Sequence, residues 1–290
     1  MPRRPRRSPC RSSPRLLASG AGRSDPVLFH QHLVIVRGGG DLGTGVVARL
    51  HRSGFPVVVT ELPHPLTVRR TVAVSSAVLD GEITVEGMYA RRAETAEFAL
   101  QLAHEGSIPV LVSETLPRIQ RSVIVDARLA KYNLDTRIDD APLVVALGPG
   151  FTVGVDCHAV VETARGPRLG RVLREGAALP NTGVPGEIGG KGADRVLRTP
   201  IGGMTRWRVQ IGDAVRQGDE IGRVGGAVIS APFDGVVRGL IAGGTPVWIG
   251  MKIGDVDPRS DTRFDEISDK ALAIGGGVLE AVMSWVSATS

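Results

Sequence analysis

Short apolar runs, separated by polar or glycine-rich stretches, mark the first half of the chain. Residues 33–36 and 56–60, Ile108–Val112, Val123–Asp126 and Leu143–Leu147 are nearly continuous in Val, Ile and Leu. Runs of that length without alternation predict strands buried on both faces, the habit of parallel sheets. Residues 71–77 and 83–87 read as two further short strands. Between these runs the spacing turns helical. Val46, Val47 and Leu50 begin an apolar face that Gly54 ends, and residues 92–105 carry Ala96, Ala99, Leu100 and Ala103 on one side before Gly106. Alternating strand and helix signals predict an α/β fold, a doubly wound Rossmann-like parallel sheet with right-handed crossovers over residues 30–165.

The pattern then changes. Residues 166–203 are dense in Gly and Pro and read as a connection. Residues 204–258 break into short strands with frequent turns, the signature of an all-β module. Gly212-Asp213 with Val215 and Gly218 is echoed by Gly243-Gly244 with Val247 and Gly250. With the APFDGVV stretch, this resembles the barrel-sandwich hybrid of biotinyl and lipoyl carrier domains. Such carriers present a modified lysine on a hairpin, where this chain has Val224-Gly225-Gly226-Ala227; the nearby Lys252 falls on the last strand. Neither biotin nor lipoate is therefore expected. Residues 259–290 close the chain, with Ile274, Val278, Ala281, Val282 and Trp285 at helical spacing over 264–285. Gly275, Gly276 and Gly277 interrupt that helix, as close packing, as a break between two helices, or as a second phosphate loop.

Composition changes this picture at one end. The formal charge is +5, yet residues 1–26 hold seven arginines against Asp25, leaving 28 basic and 29 acidic residues in the remainder. The folded part is near neutral, so no nucleic-acid surface is expected. The tail of residues 1–29, rich in Arg, Pro and Ser, is expected to be disordered and residues 1–26 of it dispensable, the natural start falling near Val27 or Leu28. A transit peptide is the other reading of that composition. No apolar stretch is expected to be long enough to span a bilayer. Two cysteines, Cys10 and Cys157, build neither a disulfide framework nor a zinc cage, which suits the cytoplasm.

The sharpest candidate chemistry follows the first strand. Gly38, Gly40 and Gly43 fit G-x-G-x-x-G where a helix should open, with Gly39 and Asp41 between them. The first glycine permits the turn, the second lets backbone approach a pyrophosphate, and the third lets helix and strand pack closely. Glu61, 23 positions after Gly38, ends the second strand where an acid would accept bonds from a ribose. A second loop, Gly148-Pro149-Gly150, follows Leu143–Leu147 and should face the same crevice. Asp156, His158 and Glu162 read as one face of a further strand, a row able to move protons or hold a metal of unspecified type. Cys157, on the opposite face, reads as a buried structural thiol.

In order along the chain, GGGDLGTGVVARLHRSGF, DGEITVEG, IPVLV, VDARLAKYN, ALGPGF and DCHAVVETARG resemble the YqeB-type selenium-dependent molybdenum hydroxylase accessory proteins. LGRV, NTGVPGEIGG, RVLRTPIGG and ISDKALAIGGGVLEAV extend the likeness over roughly residues 30–285. The chain departs from the family pattern at Pro167, where the pattern has histidine. The resemblance implies an accessory factor more than a stand-alone catalyst. Its partner would be the apoenzyme of a molybdenum hydroxylase of the xanthine or purine type, with or without selenium. Its ligand would be a nucleotide or a molybdopterin dinucleotide. An independent NAD-dependent oxidoreductase and a nucleotide-sensing scaffold are the alternatives.

Overall fold

The computed structural model describes residues 26–181, 183, 187 and 190–289. Most of the arginine-rich tail and part of the NTGVPGEIGG block lie outside the described residues. The first unit runs β1 (Val34–Arg37), α1 (Asp41–Arg52), β2 (Val57–Glu61), α2 (Ala77–Asp80), β3 (Glu82–Val85), β4 (Met88–Ala93) and α3 (Ala96–His104). It continues as β5 (Ile108–Val112), β6 (Val123–Asp126), β7 (Leu143–Leu147), β8 (Ala159–Val161) and β9 (Val172–Leu173). These strands form one nine-stranded sheet in the order β3-β4-β5-β2-β1-β6-β7-β8-β9. Every pairing from β4 to β8 is parallel, and β3 and β9 close the edges antiparallel.

The continuous apolar runs are explained by burial on both faces. Val34, Val36, Val57, Val59, Val123 and Val125 pack with α1 on one face. Ile35, Val58, Ile124 and Val144 pack with α3 and the long loops on the other. Helices make only some of the crossovers: α1 joins β1 to β2 and α3 joins β4 to β5, while irregular chain carries β5 to β6, β6 to β7 and β7 to β8. The face left open is covered from the far end of the chain by α4 (Asp269–Thr289), which packs on α1, β7, β8 and β9.

Two expected elements are corrected, and of the readings of the last helix's glycines close packing is borne out. Residues 71–77 are not a strand; Arg70–Val72 and Val74–Ser76 are 3-10 turns, because the Val74 amide bonds to Thr44 Oγ1 on α1 and the Ser75 amide to the Gly39 carbonyl instead of a ladder. The helix expected over 92–105 begins at Ala96, since Arg92 and Ala93 continue β4 and Thr95 accepts the Phe98 amide as N-cap at 3.1 Å. Finally α4 runs unbroken through Gly275, Gly276 and Gly277. A Cβ on Gly275 would strike the Gly45 carbonyl of α1, and one on Gly277 the Gly170 carbonyl, so these glycines let backbones touch. Being mid-helix, they form no phosphate loop.

The expectation about membranes is also corrected. Helix α4 has 21 residues with a hydropathy of 1.5 over its most apolar window, enough by length and composition to cross a bilayer. Ala271, Ile274, Val278, Ala281, Val282 and Val286 are buried in the sheet unit's core, which accounts for that apolarity.

The second unit starts before residue 204. It comprises β10 (Val196–Arg198), β11 (Gly203–Trp207), β12 (Ala214–Val215), β13 (Glu220–Val224), β14 (Ala227–Ser230), β15 (Gly235–Leu240), β16 (Pro246–Val247) and β17 (Lys252–Asp257). They build two four-stranded antiparallel sheets, β10-β17-β15-β12 and β14-β13-β11-β16. The sequence echo maps onto an exchange: β12 of the first half pairs with β15 of the second, and β16 of the second pairs with β11 of the first. Ile221, Val224, Val237, Leu240 and Ile253 fill the space between. The unit docks on the segment before α2, where the Arg70 guanidinium donates to the Leu240 carbonyl at 2.8 Å.

Candidate functional site

Strand order reverses at β1, flanked by β2 and β6, and its carboxyl end is where an open α/β sheet has its crevice. There the chain turns at Gly38 with a φ of +98°, a conformation that suits glycine. The Gly38 amide donates to the Thr60 carbonyl at 2.8 Å, tying the turn to β2. The Gly39 amide donates to Glu61 Oε2 at 2.8 Å, and the Leu62 amide to Oε1 at the same distance. Burial raises the Glu61 carboxyl above its ordinary value, and these two amides pull it back. Gly40 caps α1, and only Thr67 Oγ1, 3.4 Å away, stands near the place its Cβ would take. A Cβ on Gly43 would run into the Gly38 carbonyl. The three glycines of the motif thus divide into a turn, an open approach and a close packing.

Residues 67–76 lie over this turn. The Ser75 amide and Thr44 Oγ1 both donate to the Gly39 carbonyl, at 3.0 and 3.1 Å. Arg69 pairs with Asp41 at 3.1 Å, so the acid at the start of α1 is neutralised from the loop above. The space at Gly40 can receive an oxyanion or a ribose edge, beside Glu61, whose oxygens already accept the Gly39 and Leu62 amides and have lone pairs left for hydroxyls.

The Gly148 and Gly150 loop lies at the carboxyl end of β7, two strands from β1. Its glycines serve neighbouring backbone: a Cβ on Gly148 would meet Thr163 Oγ1, and one on Gly150 would meet Tyr132. Asp156, His158 and Glu162 are not brought together. Strand β8 holds only Ala159–Val161, so Asp156 sits in the turn before it, His158 at its amino end, and Glu162 at its carboxyl end. Each is engaged separately. Asp156 accepts from Asn133 Nδ2 at 2.9 Å and from the Thr152 amide at 2.7 Å. His158 Nδ1 accepts the Val144 amide at 3.0 Å, and burial lowers its pKa. Glu162, 1% exposed, accepts the amides of Thr163, Ala164 and Leu179. Among the described residues no group of three or more His, Cys, Asp or Glu could hold a metal. Cys157 is buried, and burial first and the Asp156 charge second push its thiol to about 12, which leaves no thiolate to react. Pro167 is exposed, and its carbonyl accepts from Arg171 Nε at 3.2 Å.

Sequence reasoning missed a charge network at the same edge. Arg37 ends β1 and Asp126 ends β6, 2% and 1% exposed. Asp126 Oδ2 accepts from Arg128 and from Thr136 Oγ1, both at 2.6 Å, while Arg37 donates to Thr136 Oγ1 at 2.8 Å and to Asp135 at 2.9 Å. Against the effect of burial, the Arg37 and Arg128 guanidiniums hold Asp135 below its ordinary value. The signal available was a charge closing each apolar run, VIVR and VIVD.

No protein-family model matches the chain. It is 51% identical over 258 residues to "Uncharacterized protein YqeB" of Escherichia coli (strain K12), covering 88% of this chain and 48% of that protein. The chain therefore spans about half the length of that curated relative. The match supports the YqeB resemblance over the shared stretch, and the relative's name states no activity. Solved structures give weaker likenesses. An aspartoacylase family protein from Mesorhizobium loti is 13% identical with a TM-score of 0.27, covering 82% of this chain and 87% of its own. The ectoine utilization protein EutE (DoeB) from Ruegeria pomeroyi is 12% identical with a TM-score of 0.22, covering 77% and 56%. A succinylglutamatedesuccinylase/aspartoacylase from Rhodobacter sphaeroides is 24% identical with a TM-score of 0.20, covering 23% and 22%. Scores this low carry no argument about function.

Proposed function

We propose that this chain binds a nucleotide, or the nucleotide end of a molybdopterin dinucleotide, as part of a cytoplasmic accessory factor for a molybdenum hydroxylase of the xanthine or purine type. The observation that carries the reading is the glycine turn itself. Gly40 leaves space at the helix start, and Glu61 stands within 2.8 Å of the Gly39 amide at the end of the neighbouring strand. Backbone at Gly40 would face a phosphate, and Glu61, which also accepts the Gly39 amide, a ribose. The residues present fit that moiety, and none of them supplies a nucleophile or a redox group. A binding and handing-over role suits such a site better than a stand-alone reaction. The clients, selenium-dependent or not, come from the YqeB resemblance. The β unit fits the same role as a barrel-sandwich-hybrid-like docking module, whose exposed Gly225-Gly226 turn carries no lysine to modify.

Calorimetric titration of NAD-type dinucleotides and molybdopterin dinucleotides into the wild type and Gly40→Val tests the reading. Binding should be lost in the variant while its melting temperature stays near the wild-type value, because little stands near that Cβ. Equal affinity in both proteins would falsify the cleft. Co-expression with an apo-hydroxylase then reports the accessory role, with wild type raising the client's activity and Gly40→Val failing to do so.

A further inference from the structure

Four cations lie on the elements that come together where the β unit meets the sheet unit. Arg69 lies in the segment over the glycine turn, Arg238 on β15, Lys252 at the start of β17, and Lys270 in the first turn of α4. Arg69 is 5% exposed; one Nη meets Asp41, the other donates to the Glu266 carbonyl at 2.9 Å, and its Nε is buried without a partner. Arg238 is less well served. Its side chain is 13% exposed, its Nε is also unpartnered, and it stands 3.7 Å from Asp255 and 3.9 Å from Asp257. Both separations exceed hydrogen-bond reach.

Those two acids already have partners. Arg195 reaches both oxygens of Asp255, at 2.5 and 2.6 Å. Arg259 and Thr262 hold Asp257, at 2.8 Å each. Lys252 comes no nearer to Asp255 than 3.9 Å. Burial lowers the pKa values of Arg238, Lys252 and Lys270, and the field of Asp41 acts on all three in the other direction. Arg238, Lys252 and Lys270 thus share the field of Asp41, which Arg69 has already engaged. Next to Arg238 the Arg69 charge is repulsive. A cation buried as Arg238 is, with its Nε unpartnered, destabilises a protein until an anion joins it.

We propose that this junction binds the phosphate of a phosphorylated ligand, with Arg238, Lys252 and Lys270 contacting it and Arg69 holding Asp41 aside. Donors arriving from β15, β17 and α4 suit a multiply charged tetrahedral oxyanion, which accepts on every side, better than a carboxylate, which accepts along one edge. The inference rests on the nucleotide reading for the remainder of the ligand, and on the junction alone for the phosphate.

The probe is inorganic pyrophosphate without metal, titrated into the full chain by calorimetry and thermal melt at low and high salt, with NAD in a parallel series. Pyrophosphate should raise the wild-type melting temperature, less so in high salt. Arg238→Gln and Lys252→Gln should each weaken it about tenfold or more. Without ligand, Arg238→Gln should melt no lower than wild type, because it relieves the opposition to Arg69 and leaves no acid stranded. A lower melting temperature would make Arg238 structural and overturn its assignment. Gly40→Val should keep pyrophosphate binding, so pyrophosphate binding without dinucleotide binding in the wild type would sink the nucleotide reading alone. Undiminished affinity in Lys252→Gln and Arg238→Gln, or no binding in wild type, overturns the phosphate site. If Arg238→Gln does not fold, Arg238 is structural, and Lys252→Gln, at a partly exposed position, decides whether the junction takes phosphate.

Discussion

Two runs of three glycines, at 38–40 and 275–277, look alike in the sequence and do different work in the fold. The first shapes a backbone turn: Gly38 adopts a φ of +98° and Gly39 offers both its amide and its carbonyl to other segments. The second sits inside a regular helix and lets α4 lie against α1 and against the loop at Gly170. Within each run one glycine is spared the crowding. Gly40 has only Thr67 Oγ1 near its Cβ place, and Gly276 has nothing within 4 Å. The comparison teaches that a glycine's neighbours, and not its membership of a motif, say whether it is structural. Gly276 is dispensable on that criterion. Gly40 stands free just past the carboxyl end of β1, where the proposed ligand would use the space.

The comparison can be broken most directly at Gly43. Its added methyl would collide with the Gly38 carbonyl and displace the turn, so Gly43→Ala should lose about 3 kcal/mol, within the range for overpacking. Urea denaturation reads this, and a neutral result would mean that the turn is loose. A matched pair in α4 sharpens the contrast at smaller scale. Gly277→Ala should destabilise by about 1–3 kcal/mol through the Gly170 contact. Gly276→Ala should stabilise by about 1 kcal/mol, the ordinary gain in a helix interior. Thermal melts with the same sign for both would remove the distinction. The smallest effect separates the glycine turn from the histidine once expected beside it. The folded pKa of His158 lies below the ordinary 6.5 through burial, and its Nδ1 must be unprotonated to accept the Val144 amide. The unfolded chain therefore takes up the proton first, and the contribution to stability is complete above the ordinary value and lost as the pH falls below it. His158→Gln should flatten that acid limb slightly without altering dinucleotide affinity. A changed affinity would return His158 to the binding site.

The strands were the most legible part. Ile108–Val112, Val123–Asp126 and Leu143–Leu147 have the bounds their apolar runs predict, since burial on both faces demands continuous Val, Ile and Leu whatever the neighbours are. The turn after β1 was legible because glycine chemistry is local. Residues 71–77 were misread because an apolar segment can be buried as turns when its amides find partners elsewhere, here Thr44 and Gly39. The row of Asp156, His158 and Glu162 was misread because periodicity assumes a strand long enough to hold all three.

By itself, then, the sequence determined the buried parallel strands, the glycine turn with Glu61 at the next strand's end, and the apolar face of the last helix. Each depends on residues close together in the chain. Only the tertiary structure decided that α4 would cover the sheet from the far end. It also decided which charges are matched. Arg37 finds Thr136 99 positions away, and Arg195 takes Asp255 across 60 positions, leaving Arg238 Nε, on β15, without a hydrogen-bond partner. Coulomb pairing depends on distance in space, and no local pattern records which cation reaches an acid first.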